Sequence, residues 1–401
     1  MVIKSALDNK KTSAHEIFFQ AIIYGNPDYF PPMINAAAVL FEKGIGQEII
    51  CNKYYSKRFP PHEVEYPPNT RVKRLGTNSS LTWRNYLLFV AQALRHANSK
   101  AAFFVGYDMH GFLVARLLAT RFRRPLVYHS HDFVENGRKL TAGQWIVKTF
   151  EQKFARTADL VIVPDPNRAD FMEQELSLRQ RPLVVANAAL KRPDKSSHAL
   201  TNALAERGKQ FSKIVFRQGY IADGHGIKQT LHSLRFWTDP AWGFVIMGPG
   251  DEQYFQELRQ LASDLGVEHQ FEILPAIGPY ADVAKYTVGA NLGHALYDPL
   301  NVNHRFITTA SNKTMEYMAA GLPILLSDTA PNKAIINKYQ NGLLAQDNSP
   351  RSIADAVNTI LGDSARAKQM GLGSSKAFTE KFNYSQQYAP AIERFRQLAA
   401  T

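Results

Sequence analysis

The chain has a single cysteine, Cys51, in 401 residues, so no internal disulfide can form and no thiolate cluster can hold a metal. It has no run of about 18 uncharged apolar residues, which excludes a conventional membrane-spanning helix. Residues 1–16 lack the apolar core of a secretory signal, and a protein that stays in the cytoplasm is predicted. Internal repeats, low-complexity tracts, zinc-finger spacing and the aromatic signature of RNA-binding sheets are all missing, which argues against a nucleic-acid partner. Acidic residues are the scarcer charge: Lys+Arg total 47 against 35 Asp+Glu, a formal net charge of +12. The excess falls in short clusters: Lys10 and Lys11, Lys57 and Arg58, Arg71, Lys73 and Arg74, and Arg121, Arg123 and Arg124. Such a balance suits a phosphorylated substrate or an acidic membrane surface, and equally an ordinary solvated surface.

What is present is a soluble composition, 45% hydrophobic and 20% charged, on a chain long enough for two domains. Apolar runs alternate with amphipathic stretches, the pattern of parallel sheets wrapped by helices. In the first half, strands are predicted at 17–23, 101–105, 126–129, 160–163 and 183–185, with helices at 33–43, 111–121 and 144–156. After Asn187 the composition turns polar, and an interdomain linker is expected over 188–212. The α/β rhythm then restarts, with strands at 213–216, 244–247, 271–274, 290–296 and 324–326. The expected division is 1–187, the linker 188–212, 213–380, and an amphipathic C-terminal segment over 381–401. The fold class is α/β, with two facing doubly wound, Rossmann-like domains.

Four stretches carry candidate chemistry. In 311–328 (SNKTMEYMAAGLPILLSD), Met315, Met318, Ala319 and Leu322 recur at helical spacing, and Gly321 and Pro323 stop the helix before a buried strand. Lys313 and Glu316 sit at the start of that helix. A capping box would need Ser or Thr where Lys313 stands, and an i,i+3 surface ion pair is worth only a few tenths of a kcal/mol. A first-turn lysine opposes the helix dipole, an arrangement that makes sense beside an external anion such as phosphate. The stretch RQGYIADGHGIKQTL places Gly219, Gly224 and Gly226 between a strand and a helix, where backbone N–H groups can approach phosphate oxygens. Its G-x-x-x-x-G-x-G spacing differs from the dinucleotide fingerprint G-x-G-x-x-G. Strand 126–129 runs into Ser130, His131 and Asp132, a histidine beside a carboxylate at a strand end, although a turn histidine bonded to backbone is the ordinary reading. The loop 24–32 (YGNPDYFPP) follows the first strand, so Gly25 either approaches a ligand or simply forms a turn.

Asn312, Lys313, Glu316, Tyr317, Met318, Ala319, Gly321 and Pro323 together resemble the donor-site signature of the family 4 (GT4-like) glycosyltransferases of GT-B fold. The resemblance implies transfer of a sugar from a nucleotide sugar to a saccharide or lipid-linked saccharide acceptor, with retained configuration and no metal or other cofactor; the chain also lacks an Asp-x-Asp motif. It implies that Glu316 holds the donor ribose, that Asn312, Lys313, Gly219 and Gly226 lie near the diphosphate, and that Gly248 lies near the nucleotide. His131 would face the donor sugar. Many family members carry an arginine after the first loop glycine and a lysine or arginine before the last, where this chain has Tyr220 and His225. A further family glutamate is replaced by Thr308. Asp132, Gly25, Thr308 and the polar loop residues Asn303 and Arg305 are candidates for sugar or acceptor contacts. A non-catalytic nucleotide-sugar-binding partner subunit and a nucleotide-sugar epimerase are the rival readings. Basic clusters without a spanning segment predict reversible docking on an anionic membrane through Lys57, Arg58, Arg121, Arg123 and Arg124.

Overall fold

The structure, a computed structural model, describes residues 17–53, 62–76, 82–135 and 138–401. Its first sheet is built from β1 (Ile17–Ile23), β2 (Ile45–Asn52), β3 (Thr70–Leu75), β4 (Phe104–Tyr107), β5 (Leu126–His129), β6 (Leu160–Val163) and β7 (Leu183–Val184). The second comprises β8 (Lys213–Gln218), β9 (Trp242–Met247), β10 (Phe271–Leu274), β11 (Leu292–Ala295), β12 (Ile324–Ser327) and β13 (Gly342–Ala345). The strand orders are β3-β2-β1-β4-β5-β6-β7 and β10-β9-β8-β11-β12-β13, with parallel pairing throughout. Each order reverses once, between β1 and β4 and between β8 and β11. Crevices open at the carboxyl ends of strands beside such reversals, and this positions the site.

Local chemistry explains the elements. Strands covered by helices on both faces are predominantly apolar, as in β1 (IFFQAII), β6 (LVIV) and β12 (ILLS). Helices begin where a short polar side chain takes a free N–H: Thr141 and Gln144 form a reciprocal capping box, and Asp165, Asp251, Ser311 and Ser349 cap their own helices.

Three strands escape the sequence reading. In β2 (IGQEIICN) the apolar run is broken by Gln47 and Glu48, whose partners are Thr70 Oγ1 and the Gln20 side chain. β3 (TRVKRL) is an edge strand, where basic side chains protect the unpaired rim. Its Arg74 donates to the fully buried Asp28 at 2.5 Å, so part of that basic cluster serves an internal ion pair. β13 begins at Gly342, where the sequence suggests only a turn; a Cβ there would strike the Ile324 carbonyl.

The expected linker 188–212 also contains more than turns. A helix, Ala199–Ala205, buries Leu200 and Leu204 beneath its polar exterior. At the C-terminus the helix Tyr384–Ala399 lies on the first sheet's side: Tyr384 Oη donates to the Pro32 carbonyl at 2.8 Å, and the Phe395 ring packs on Phe19 and Phe103 at 5.5 and 5.0 Å.

Candidate active site

A cavity of about 390 Å³ lies between the carboxyl ends of the two sheets. Phe30, His131 and Asp132 contribute to one wall; Gln218, Gly219, Tyr220, Gly248, Lys313 and Glu316 contribute to the other.

The second wall is organised by the helix Asn312–Ala320. Ser311 Oγ accepts the Thr314 N–H at 3.3 Å, and Gly321 closes the helix in a left-handed conformation at φ 71°. Asn312 and Lys313, in the first turn, line the cavity together with Glu316. Among the described residues no ion pair joins Lys313 to Glu316. Glu316 instead accepts hydrogen bonds from the Tyr280 hydroxyl and the Gln218 amide, whose own oxygen is held by Thr287. Burial raises the Glu316 carboxyl, while Tyr280, the Lys313 charge and Gln218 oppose that rise. Lys313 Nζ donates to Tyr297 Oη at 2.6 Å, and burial lowers the pKa of its ammonium. Burial alone would raise the Tyr297 phenol, but the charges of Lys313 and Arg217 together with the Lys313 hydrogen bond bring it down to about 8. Arg217 lies behind Tyr297, fully buried, with its guanidinium carbon 5.0 Å from the ring centre.

The glycine loop meets this helix. Gly219, Gly224, Gly226 and Gly248 all have positive φ, and a Cβ on Gly248 would collide with the Gly219 carbonyl. Only two bare backbones can pass this closely. A Cβ on Gly219 would sit 3.6 Å from Lys313 Cε, so the lysine lies directly along the loop. Tyr220 lines the cavity and is 43% exposed. His225 does not reach the cavity; it is buried against Tyr297 and His304, and burial with the Arg217 and Lys313 charges keeps it neutral at pH 7. It therefore cannot replace a basic loop residue.

On the opposite wall, His131 is set by its backbone. Asp108, the first residue of the helix Asp108–Phe122 and itself at φ 52°, accepts the His131 N–H at 2.8 Å and the Asp132 N–H at 3.2 Å. The His131 ring stacks on Phe30 and leans on Tyr107 and His129, and neither ring nitrogen has a hydrogen-bond partner among the described residues. Burial pushes its pKa down to about 4, so the imidazole is neutral at pH 7 and can donate one hydrogen bond.

A profile for glycosyl transferases group 1 matches residues 209–376, and one for a glycosyl transferase 4-like domain matches residues 35–188. The chain is a family 4-like glycosyltransferase. No curated protein matches the sequence closely enough to count as a relative. Among solved structures, sucrose-phosphate synthase from Thermosynechococcus elongatus superposes with a TM-score of 0.71 at 17% identity, covering 96% of this chain and 99% of that one. HepE from Anabaena, in complex with UDP and glucose, gives 0.69 at 14% identity, covering 95% of this chain and 100% of that one. WaaG, a glycosyltransferase involved in lipopolysaccharide biosynthesis, gives 0.66 at 14%, covering 94% and 98%. These likenesses establish the two-domain GT-B architecture.

Within this glycosyltransferase, several residues read as sugar contacts lie elsewhere. Asn303 and Arg305 belong to the short helix Val302–Arg305, which faces the first domain rather than the cavity. The Asn303 amide forms a reciprocal pair with the Phe133 backbone, both bonds at 3.0 Å, and Arg305 is paired with Glu135. Thr308 is buried, its hydroxyl lacks a partner among the described residues, and it does not line the cavity. Gly25 is likewise absent from the lining; its loop contributes Asp28, Tyr29 and Phe30 instead. Sequence reasoning missed Gln218, Tyr280, Tyr297 and Asp108. Tyr297 stands two residues past the end of β11, a position that strand-end reasoning could have flagged.

The depressed pKa of His131 has a testable sign. Unfolded, the imidazole takes a proton near 6.5; folded, it does so only near 4, so stability present above pH 6.5 is lost as pH falls through that window. Denaturant titrations should show wild type losing on the order of 3 kcal/mol more than His131→Phe between pH 7 and pH 4. Equal losses would mean that the ring is not held neutral by burial.

Proposed function

We propose that this glycosyltransferase moves a sugar from a nucleotide-diphosphate donor to a saccharide or lipid-linked saccharide acceptor, with retention and without a metal. The carrying observation is that Lys313 and Glu316, one helical turn apart, both line the cavity and are hydrogen-bonded to uncharged partners instead of each other. Glu316 is suited to accept ribose hydroxyls, through charge-assisted bonds typically worth about 1.5–3 kcal/mol each. Lys313, the helix start at Asn312 and the bare backbone at Gly219 and Gly248 are suited to the diphosphate, where negative charge builds as the sugar–phosphate bond breaks. In this reading the Lys313 ammonium supplies the positive charge that Tyr220 and His225 do not. His131 donates a hydrogen bond to the donor sugar, and the acceptor enters along the first-domain wall. That HepE was solved with UDP and UDP-glucose makes uridine donors the first to try.

Incubation with UDP-glucose labelled in the sugar, with a panel of saccharide acceptors, should give a labelled transfer product of retained configuration in the presence of a chelator. An epimerised donor would establish the epimerase reading, and nucleotide binding without turnover of any donor would establish the partner-subunit reading.

Membrane docking belongs to the same proposal, on a cytoplasmic leaflet. No helix among the described residues is long and apolar enough to cross a bilayer. Lys57 and Arg58 lie outside the described residues. Arg121 bonds the Leu94 carbonyl at the C-terminal end of the helix Trp83–Arg95, and Arg123 and Arg124 follow beside it. The N-terminal half of the same helix adds an apolar element: Trp83, Leu87 and Leu88 are exposed, and beside them Trp145, 62% exposed, and Ile146 project from the helix Ala142–Phe154. A Cβ on Gly143 would touch the Trp83 ring at 2.5 Å, so the two helices adjoin. The helix Trp83–Arg95 carries Arg84 and Arg95 and no acid. An exposed apolar strip rimmed by cations suits insertion at an anionic lipid surface. Binding to phosphatidylglycerol vesicles should weaken with salt and fall at least tenfold in Trp145→Ser. Salt-insensitive binding, or none at low ionic strength, would reject docking.

A further inference from the structure

The helix Pro166–Glu175 of the first domain carries a side chain that the donor and acceptor roles above leave unexplained. Arg168 is 2% exposed, and a guanidinium taken so far out of water is costly unless its donors are well matched. Its acceptors are backbone carbonyls from both domains. Arg168 Nη1 donates to the His131 carbonyl at 2.5 Å, Nη2 to the Asn303 carbonyl at 2.9 Å, and Nε to the Phe306 carbonyl at 3.1 Å. The nearest carboxylate, Asp132, is 3.8 Å away and mostly exposed, so it contributes little. Three carbonyls are gathered by one rigid fork, a geometry that the single ammonium of lysine cannot reproduce.

The consequence falls on His131. Its ring nitrogens have no partner among the described residues, and no side-chain hydrogen bond from them orients the imidazole. Orientation comes from ring packing and from the peptide on either side: Asp108 holds the N–H, and Arg168 holds the C=O. Of these two pins, Asp108 is internal to the first domain, whereas Arg168 also grips the segment 303–306 of the second. That segment is fastened to the same region by the Asn303–Phe133 pair and by Glu135, which accepts the Val302 N–H at 2.9 Å. Asp165, the cap of the Arg168 helix, accepts from the Thr309 backbone and hydroxyl at 3.1 and 2.8 Å. The loop between β11 and the helix Asn312–Ala320 is therefore tied at several points to the element that places His131.

We propose that Arg168 is a positioning residue that couples the seating of the segment 303–306 to the placement of His131, so that the sugar-transfer step requires the two domains to be engaged. Arg168 acts through His131 and need not touch the sugar. The inference rests on the transfer reading for its kinetic consequence but not for its structural one.

Two arms separate these. In histidine-selective 15N NMR of the full chain, Arg168→Lys should shift the His131 imidazole signals and leave those of His232 and His269 unmoved. That arm reads positioning whether or not the wild type turns over UDP-glucose. Kinetically, Arg168→Lys should lower kcat about 30- to 300-fold while the Kd for UDP changes less than threefold. Asn303→Ala breaks the same seam and leaves the buried guanidinium in place, and should give the same kcat-selective loss; it serves if the arginine variant fails to fold. Its effect should be less than additive with that of Arg168→Lys if the two variants break one coupling. An unmoved His131 signal, kcat within threefold of wild type, or equal losses in kcat and UDP affinity would each overturn the proposal. A wild type that binds UDP without transferring sugar, combined with a shifted His131 signal, would instead overturn the transfer reading and leave the positioning role standing.

Discussion

Two opposite charges one turn apart on a helix would ordinarily satisfy each other; here they do not, and the site depends on that separation. Glu316 is taken up by Tyr280 and Gln218, and Lys313 by Tyr297. Each charge keeps part of its desolvation penalty, visible as a raised carboxyl and a lowered ammonium. Direct pairing would not remove that penalty either, because desolvated charges gain from each other only what exceeds the cost of taking both out of water. What is gained is a pair of separately addressed charges, fit for a ligand with hydroxyls at one end and phosphates at the other.

Holding that arrangement recruits most of the second domain. Gln218 ends β8, Tyr280 opens the helix Tyr280–Thr287, Tyr297 follows β11, and the helix Asn312–Ala320 precedes β12. All converge where the strand order reverses, and the same loop that delivers Tyr297 continues across the cleft to Arg168 and Phe133. The wall carrying Lys313 and Glu316 and the wall carrying His131 are thus not independent. They are joined through one loop.

The fold class was legible because parallel sheets need apolar strands: the runs at 17–23, 126–129, 160–163 and 271–274 coincide with β1, β5, β6 and β10. β2, β3 and β13 were not, since their Gln47, Glu48, Arg74 and Gly342 depend on partners distant in sequence. The helix Asn312–Ala320 was legible from Met315, Met318, Ala319 and the Gly321 stop, which the left-handed φ of Gly321 explains. Its side-chain partners were not, because Gln218 and Tyr280 reach Glu316 from 98 and 36 residues away. Asn303 and Arg305 illustrate a limit of composition: polarity marked their loop as a contact surface but could not say which wall it would meet.

The separation of roles between Glu316 and Lys313 is tested most directly by comparing UDP with uridine, which lacks the phosphates, by calorimetry or ligand-observed NMR. Glu316→Gln should weaken both ligands by a similar factor, whereas Lys313→Met should weaken UDP at least tenfold and leave uridine within twofold. Equal effects of both substitutions on both ligands, or no effect on either, would contradict the account.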